Sequence, residues 1–229
     1  MLDGTTYYFT AFALDTDDTI IDVQSNSIKT DFWPLPKTYK QVEYIQSSWR
    51  QYIDTNIQLW TNTFKVDCDF AIASWSSYEQ AVFSIWTSSY NYWNVFIRQT
   101  KYIDAYLSAH NEIYNTLSLD TKYKATFERT SSSSWKLWLD NNSTNINYSP
   151  WTTNNTTLKL FMRWDTPWTT ESDSRLKMYW CKIYLWWTLI RELIPCYRKA
   201  DTIIWMYDVV NDVFYTNAWS WTFTKWPDL

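Results

Sequence analysis

A β-hairpin corner needs residues that tolerate a left-handed backbone, and this chain offers one glycine, Gly4, to meet that need. A globular chain of 229 residues should carry roughly 16 glycines at the usual ~7%. Tryptophan is in excess instead, at 18 residues, a surplus of about the size of the glycine shortfall. Position matters more than number. Trp186-Trp187 separates two strand-like runs, CKIYL and TLIRELI, where a two-residue turn demands positive φ. Trp219 and Trp221 alternate with small residues in NAWSWTFTKW, and Trp49 follows the turn-forming pair Ser47-Ser48.

Such positions suit glycine and not an indole, which is a steric outlier at positive φ. The chain therefore reads as one in which most tryptophan letters stand for glycine, through a UGA codon that the source lineage translates as glycine. The competing reading is a genuinely Trp-rich surface, as in some glycan binders. Energetics favours the first. About ten L-residues forced into left-handed turns would cost ~1–2 kcal/mol each, as an upper bound. A domain's whole net stability is only ~5–15 kcal/mol. Trp138, inside the alternating run KLWLD, reads as a true indole, whereas the sequence leaves Trp33 and Trp93 undecided.

The length allows one full domain and a fragment, with a core that needs no staples. Net charge is −4 without a Lys/Arg run, which argues against nucleic-acid binding. Apolar runs reach four or five residues, too short for membrane insertion. MLDGTTYYFTAF has no basic start followed by an apolar stretch, so no signal peptide is expected in it. Cys68, Cys181 and Cys196 do not form a disulfide framework and are expected as buried free thiols. About the turn at 186–187, Cys181 should face a residue near 192. With His110 the one histidine and no cysteines at ligand spacing, a transition-metal site is not expected.

Nearly all of the chain alternates Thr, Tyr, Ile, Val and Phe with polar residues in runs of five to ten, without sustained helical periodicity. The fold class is therefore all-β. Ser131–Ser134 and the Asn/Thr tract 141–157 read as loops, and KYKATFERT with WKLWLD as a hairpin around the first of them. Residues 1–31 form two long strands about an acidic turn, Asp15 to Asp18, too few to bury a core alone. DGTTYYFTAFALD…SNSIKTD resembles the last hairpin of a fibronectin type III-like module, truncated upstream. Residues 32–40, with Pro34 and Pro36, read as a stiff linker to a second unit at 41–229.

Two stretches of that unit carry a further resemblance: VEYIQSSWRQYIDTNIQL at 42–59, and MYWCKIYLWWTLIRELIPC at 178–196 continuing as YRKADTIIWMYDVVNDVFYTNAWSWTFTKW to 226. They resemble the laminin-G-like, concanavalin A-like lectin domains of bacterial surface and phage-associated proteins. In that family glycine stands at the positions of Trp49, Trp180, Trp187, Trp205, Trp219, Trp221 and Trp226. The resemblance implies a two-sheet antiparallel jelly-roll sandwich, and strands of this number and length suit one. VEYIQSS and the closing TFT are expected to pair.

Three function classes follow. An enzyme of the glycoside hydrolase kind needs two carboxylates ~5 Å apart. Glu171-Ser-Asp173 lacks a third acid and reads as a solvated loop; Asp67 and Asp69 share a strand face but read as a solvated pair. No nucleophile elbow is present, and His110 reads as a surface residue, so no catalytic residue is expected. The resemblance implies instead a non-catalytic, extracellular or virion-borne binding module for a glycan or a cell-surface protein, attached to upstream domains. Its ligand candidates are Tyr90, Tyr92, Asn141 and Asn142. If the module binds Ca2+, as some relatives do, the oxygen donors are Asp140, Asp165 and Asp173. The third class is a spacer or tip domain of a surface adhesin or phage tail fibre.

Overall fold

Period-two alternation buries one face of each strand, and the computed structural model is built from strands, with no helix among the described residues. Those are residues 6–14, 20–29, 35–59, 63–86, 92–107, 109–146, 156–162, 174–218 and 222–229. The chain divides into two units, Met1–Pro34 and Leu35–Leu229. The first holds one antiparallel hairpin, β1 (Thr6–Leu14) on β2 (Ile20–Lys29), with a register shift at Ala13/Leu14.

The second unit is a sandwich of two antiparallel sheets with the jelly-roll character expected. With strands numbered in chain order, the ten-stranded sheet runs β12 (Asn142–Ile146), β11 (Trp135–Leu139), β10 (Tyr123–Arg129), β5 (Phe64–Ile72), β14 (Leu176–Leu185), β3 (Tyr39–Gln46), β15 (Thr188–Arg198), β16 (Ile204–Asp208) and β17 (Val213–Thr216). β18 (Thr224–Asp228) pairs with β3, setting Thr224 against Gln46, so the start and close of this unit meet as expected. The six-stranded sheet runs β4 (Ile53–Asp54), β13 (Lys159–Leu160), β6 (Gln80–Trp86), β7 (Tyr92–Ile97), β8 (Ile103–Tyr106) and β9 (Glu112–Ile113).

The core lies where the inner faces meet. β5 contributes Phe64, Val66, Cys68 and Phe70, and the smaller sheet contributes Phe83, Val95 and Ile103 among others, all essentially inaccessible to water. Trp93, undecided from sequence, is a core residue. Its ring stacks on Phe64 at 5.4 Å, meets Phe83 edge-on at 6.0 Å and tilts against Phe127 at 4.8 Å. Trp135 packs into the same aromatic group, 5.6 Å from Phe64. Trp138 stays on the outer face of β11 under Lys136, 3.8 Å from its ring centre.

The β10–β11 hairpin forms as expected, with Phe127 opposite Leu137. The turn at 186–187 does too: Leu185 faces Thr188, and φ is 49° at Trp186 and 66° at Trp187. Both indoles are exposed, at 60% and 57%, so no burial selects them there. Among the described tryptophans left-handed φ is confined to these two; Trp49, Trp180 and Trp205 have ordinary backbones, which narrows the steric argument to one corner. Trp219 and Trp221 lie outside the described residues.

Cys181 faces Leu193, near residue 192 as expected, the offset of one coming from a bulge at Ile183/Tyr184. Two expectations are corrected. The tract 141–157 is not all loop: Asn142–Ile146 is β12, held by pairing with β11 and by Ile146 entering the core. The face bearing Asp67 and Asp69 is not freely solvated. Asp67 is 4% exposed beside Lys65 at 3.0 Å, and Asp69 meets Lys122 at 3.0 Å.

Candidate binding face

The β8–β9 hairpin, KYIDAYLSAHNEIYN, alternates in the sense that matters for a site. Ile103, Ala105 and Ile113 point into the core, which leaves Tyr102, Asp104, Glu112 and Tyr114 to the opposite face. Pairing sets Asp104 opposite Glu112 of β9 and, on its other side, opposite Phe96 of β7, so the polar row spans β8 and β9. Arg98, just after β7, joins that row from the side.

Asp104 is the row's centre and is completely buried. One carboxylate oxygen accepts the Asn111 backbone N–H at 2.7 Å, and the other meets His110 Nδ1 at 2.5 Å. An Arg98 nitrogen stands 3.6 Å from the same oxygen and donates to Glu112 at 2.7 Å. Burial pushes the Asp104 carboxyl above the usual carboxylate range, although its bonds to Asn111 and His110 and the Arg98 charge act the other way. The imidazole is held by Nδ1 while 44% of its side chain remains exposed, so Nε2 is oriented as an acceptor when the ring is neutral. Asn111 stiffens the loop that carries His110, its amide donating to Ala105 O at 3.1 Å and Ala109 O at 3.0 Å.

Beside this polar group stands an aromatic one. Tyr102 and Tyr114 meet edge-on at 5.4 Å. Tyr114 is 74% exposed, an open ring beside fixed hydrogen-bonding groups. A hydrogen bond to Glu112 raises its phenol above the ordinary value. A carboxylate, a guanidinium and an imidazole beside an exposed ring can bind a ligand that has hydroxyls on its edge and an apolar face.

None of the ligand candidates drawn from sequence belongs to this row. Asp140 and Asn141 form the β11–β12 turn, where Asp140 has φ 50° and accepts the Lys124 backbone N–H at 2.8 Å. Asn142 opens β12 and is exposed. These are turn roles, and they place the three residues on one corner of the ten-stranded sheet. Tyr92 opens β7 opposite Trp86; Tyr90, Asp165 and Asp173 lie outside the described residues. With Asp140 engaged by Lys124, no group of three or more His, Cys, Asp or Glu side chains among the described residues could hold a metal ion. His110 is at the surface as expected, but the sequence did not single it out as a ligand candidate, nor Asp104, Glu112 or Tyr114. Their signal was available as the paired alternations Tyr-x-Asp and Glu-x-Tyr on the two arms of one short hairpin.

The fold defines the class of protein as a two-sheet antiparallel β-sandwich. Among solved structures, one from Bacteroides ovatus, provisionally described as a carbohydrate binding protein, matches 98% of this chain and 70% of its own at 9% identity and a TM-score of 0.59. At that identity the likeness speaks for the fold. A Trypanosoma rangeli sialidase (8% identity, 53% of this chain, TM-score 0.44) and an alginate lyase of polysaccharide lyase family 7 (14%, 55%, 0.42) also match. The chain spans only 20% of the sialidase and 61% of the lyase. No protein-family model and no curated protein sequence matches the chain.

Proposed function

We propose that residues 41–229 are a non-catalytic extracellular binding module of the laminin-G-like, concanavalin A-like kind, recognising a glycan on behalf of a larger modular protein. The observation that carries this reading is the exposed Tyr114 ring beside the Asp104–Arg98–Glu112 row and the oriented His110. An open ring stacks on the C–H face of a sugar, and the accessible Arg98, Glu112 and His110 groups, oriented by the buried Asp104, pair with hydroxyls at its rim. Asp104, Glu112 and Glu79 outnumber Arg98, the guanidinium they surround, so the face disfavours acidic sugars and suits neutral ones. The B. ovatus likeness supports the same direction. A glycan array probed with the chain and with Tyr114→Ala tests it: neutral-sugar hits that vanish in the variant are expected. No hit on any sugar would overturn the reading.

A second reading, a spacer or tip domain of an adhesin or tail fibre, draws on the β-unit Met1–Pro34 that precedes the sandwich. Silent arrays together with intact protease resistance would favour it. The oriented His110 keeps catalysis as a minor alternative, tested by looking for cleaved products from any glycan that binds.

The reading includes the recoded letters. Left-handed backbone at Trp186 and Trp187, both exposed, supports glycine there in the native protein, while the buried packing of Trp93 and Trp135 supports true indoles. Mass spectrometry of the native protein decides it, and intact tryptophan at 186 and 187 would end the idea.

A further inference from the structure

Strands β5 and β14 are separated by more than a hundred residues of chain, yet their pairing sets Cys68 directly opposite Cys181. Both side chains are fully buried between the sheets, and their sulfur atoms lie 2.8 Å apart. Non-bonded heavy atoms settle at about 3.5–4.0 Å, and sulfur is among the larger of them. Directly opposed residues of an antiparallel pair have Cα atoms ~4.5–5.5 Å apart, within the ~4.4–6.8 Å that a disulfide spans. Cys196, on β15, faces Trp205 and Gln41 and has no such partner. We infer that Cys68 and Cys181 are a modification site: in an oxidising compartment they form a disulfide that ties the two central strands of the ten-stranded sheet together, leaving Cys196 as a thiol.

The chemistry closes with a disulfide oxidant, either a small-molecule disulfide or a thiol-disulfide exchange protein. The Cys68 thiolate attacks one sulfur of the oxidant and expels a thiolate, giving a mixed disulfide. The Cys181 thiolate then attacks Cys68 Sγ and releases the oxidant's second half as thiol. The pair loses two protons and two electrons, and the oxidant becomes two thiols. Timing follows from burial. In the folded chain, burial and the neighbouring Cys181, Asp67 and Asp69 raise the Cys68 thiol well above its ordinary range, so little thiolate exists to react. The bridge therefore forms while β5 and β14 are still assembling. A chain folded reduced stays reduced, and one folded oxidised resists reductant.

The test refolds the full chain from denaturant in a mixture of oxidised and reduced glutathione, followed by intact mass and by peptide mapping without reductant. The expected product is lighter by two hydrogens, carries a peptide linking Cys68 to Cys181, and has one thiol open to alkylation in denaturant. The same oxidant added to chain already folded under reductant should leave all three thiols alkylatable. Three thiols after oxidative refolding, a link through Cys196, or a lasting glutathione adduct would each overturn the inference. Chain that precipitates on refolding is produced instead by export to a bacterial periplasm and read in the same way. The Cys196→Ala variant separates correct from scrambled pairing: it should keep the link and show no thiol. None of these readouts involves a glycan.

Discussion

Replacing the pair Trp186-Trp187 by Asn-Gly and, separately, by Ala-Ala isolates the backbone term at the β14–β15 corner. Both double variants delete the same two indoles, so whatever the partly exposed rings contribute cancels between them. What remains is the cost of left-handed φ, 49° and 66° at these positions. An L-residue with a Cβ costs ~1–2 kcal/mol there, whereas Asn and Gly visit the region readily. Two positions give about 2–4 kcal/mol, from which the greater flexibility of unfolded glycine subtracts roughly 0.5–1 kcal/mol. The Asn-Gly variant should therefore be the more stable by about 1–3 kcal/mol. Equilibrium denaturation in urea, with equal slopes for the two variants, reads the difference from the shift in midpoint. Equal stabilities, or a more stable Ala-Ala variant, would refute the steric reasoning and remove the main physical support for glycine at this corner.

Tyr114→Ala should abolish glycan binding yet change stability by less than ~0.5 kcal/mol, since 74% of the residue is already in water; denaturation and array binding are compared on one sample. Trp93→Ala should cost ~3–5 kcal/mol, because it empties a site lined by Phe64, Phe83 and Phe127, and a neutral result would argue against a native indole there. Asp104 has a folded pKa above its unfolded one, so the folded state holds that proton more tightly. Its contribution is present below the unfolded value of ~3.9 and fades as pH rises through the folded value. Denaturation of the wild type and Asp104→Asn at stepped pH above ~3.9 should show an extra decline in the wild type only. Chain folded with the Cys68–Cys181 link should exceed the reduced chain by up to ~4–5 kcal/mol, given the length of the loop closed, as measured by denaturation with and without reductant.

Local features were legible. KATFER and WKLWL alternate so strictly that their hairpin follows from period and turn alone, and the pair at 186–187 announces its own corner. The β8–β9 site was legible in principle, because Asp104 and Glu112 belong to one short hairpin whose register follows from its loop. It was missed because a lone histidine in a polar stretch resembles any surface turn. Nothing in the sequence marks Asp104 as buried; that depends on what packs over β7 and β8.

Sequence by itself determined which residues turn inward along each strand, since side chains alternate with period two wherever the strand is placed. It could not say which strands are neighbours. Only the tertiary structure decided that β5 lies between β10 and β14, that Asp67 and Asp69 are sheltered beside lysines, and that Cys68 meets Cys181. Those pairings join segments far apart in the chain, and many registers satisfy the same alternation. The choice among them rests on how completely the two sheets fill the space between Phe64, Trp93, Phe127 and Trp135.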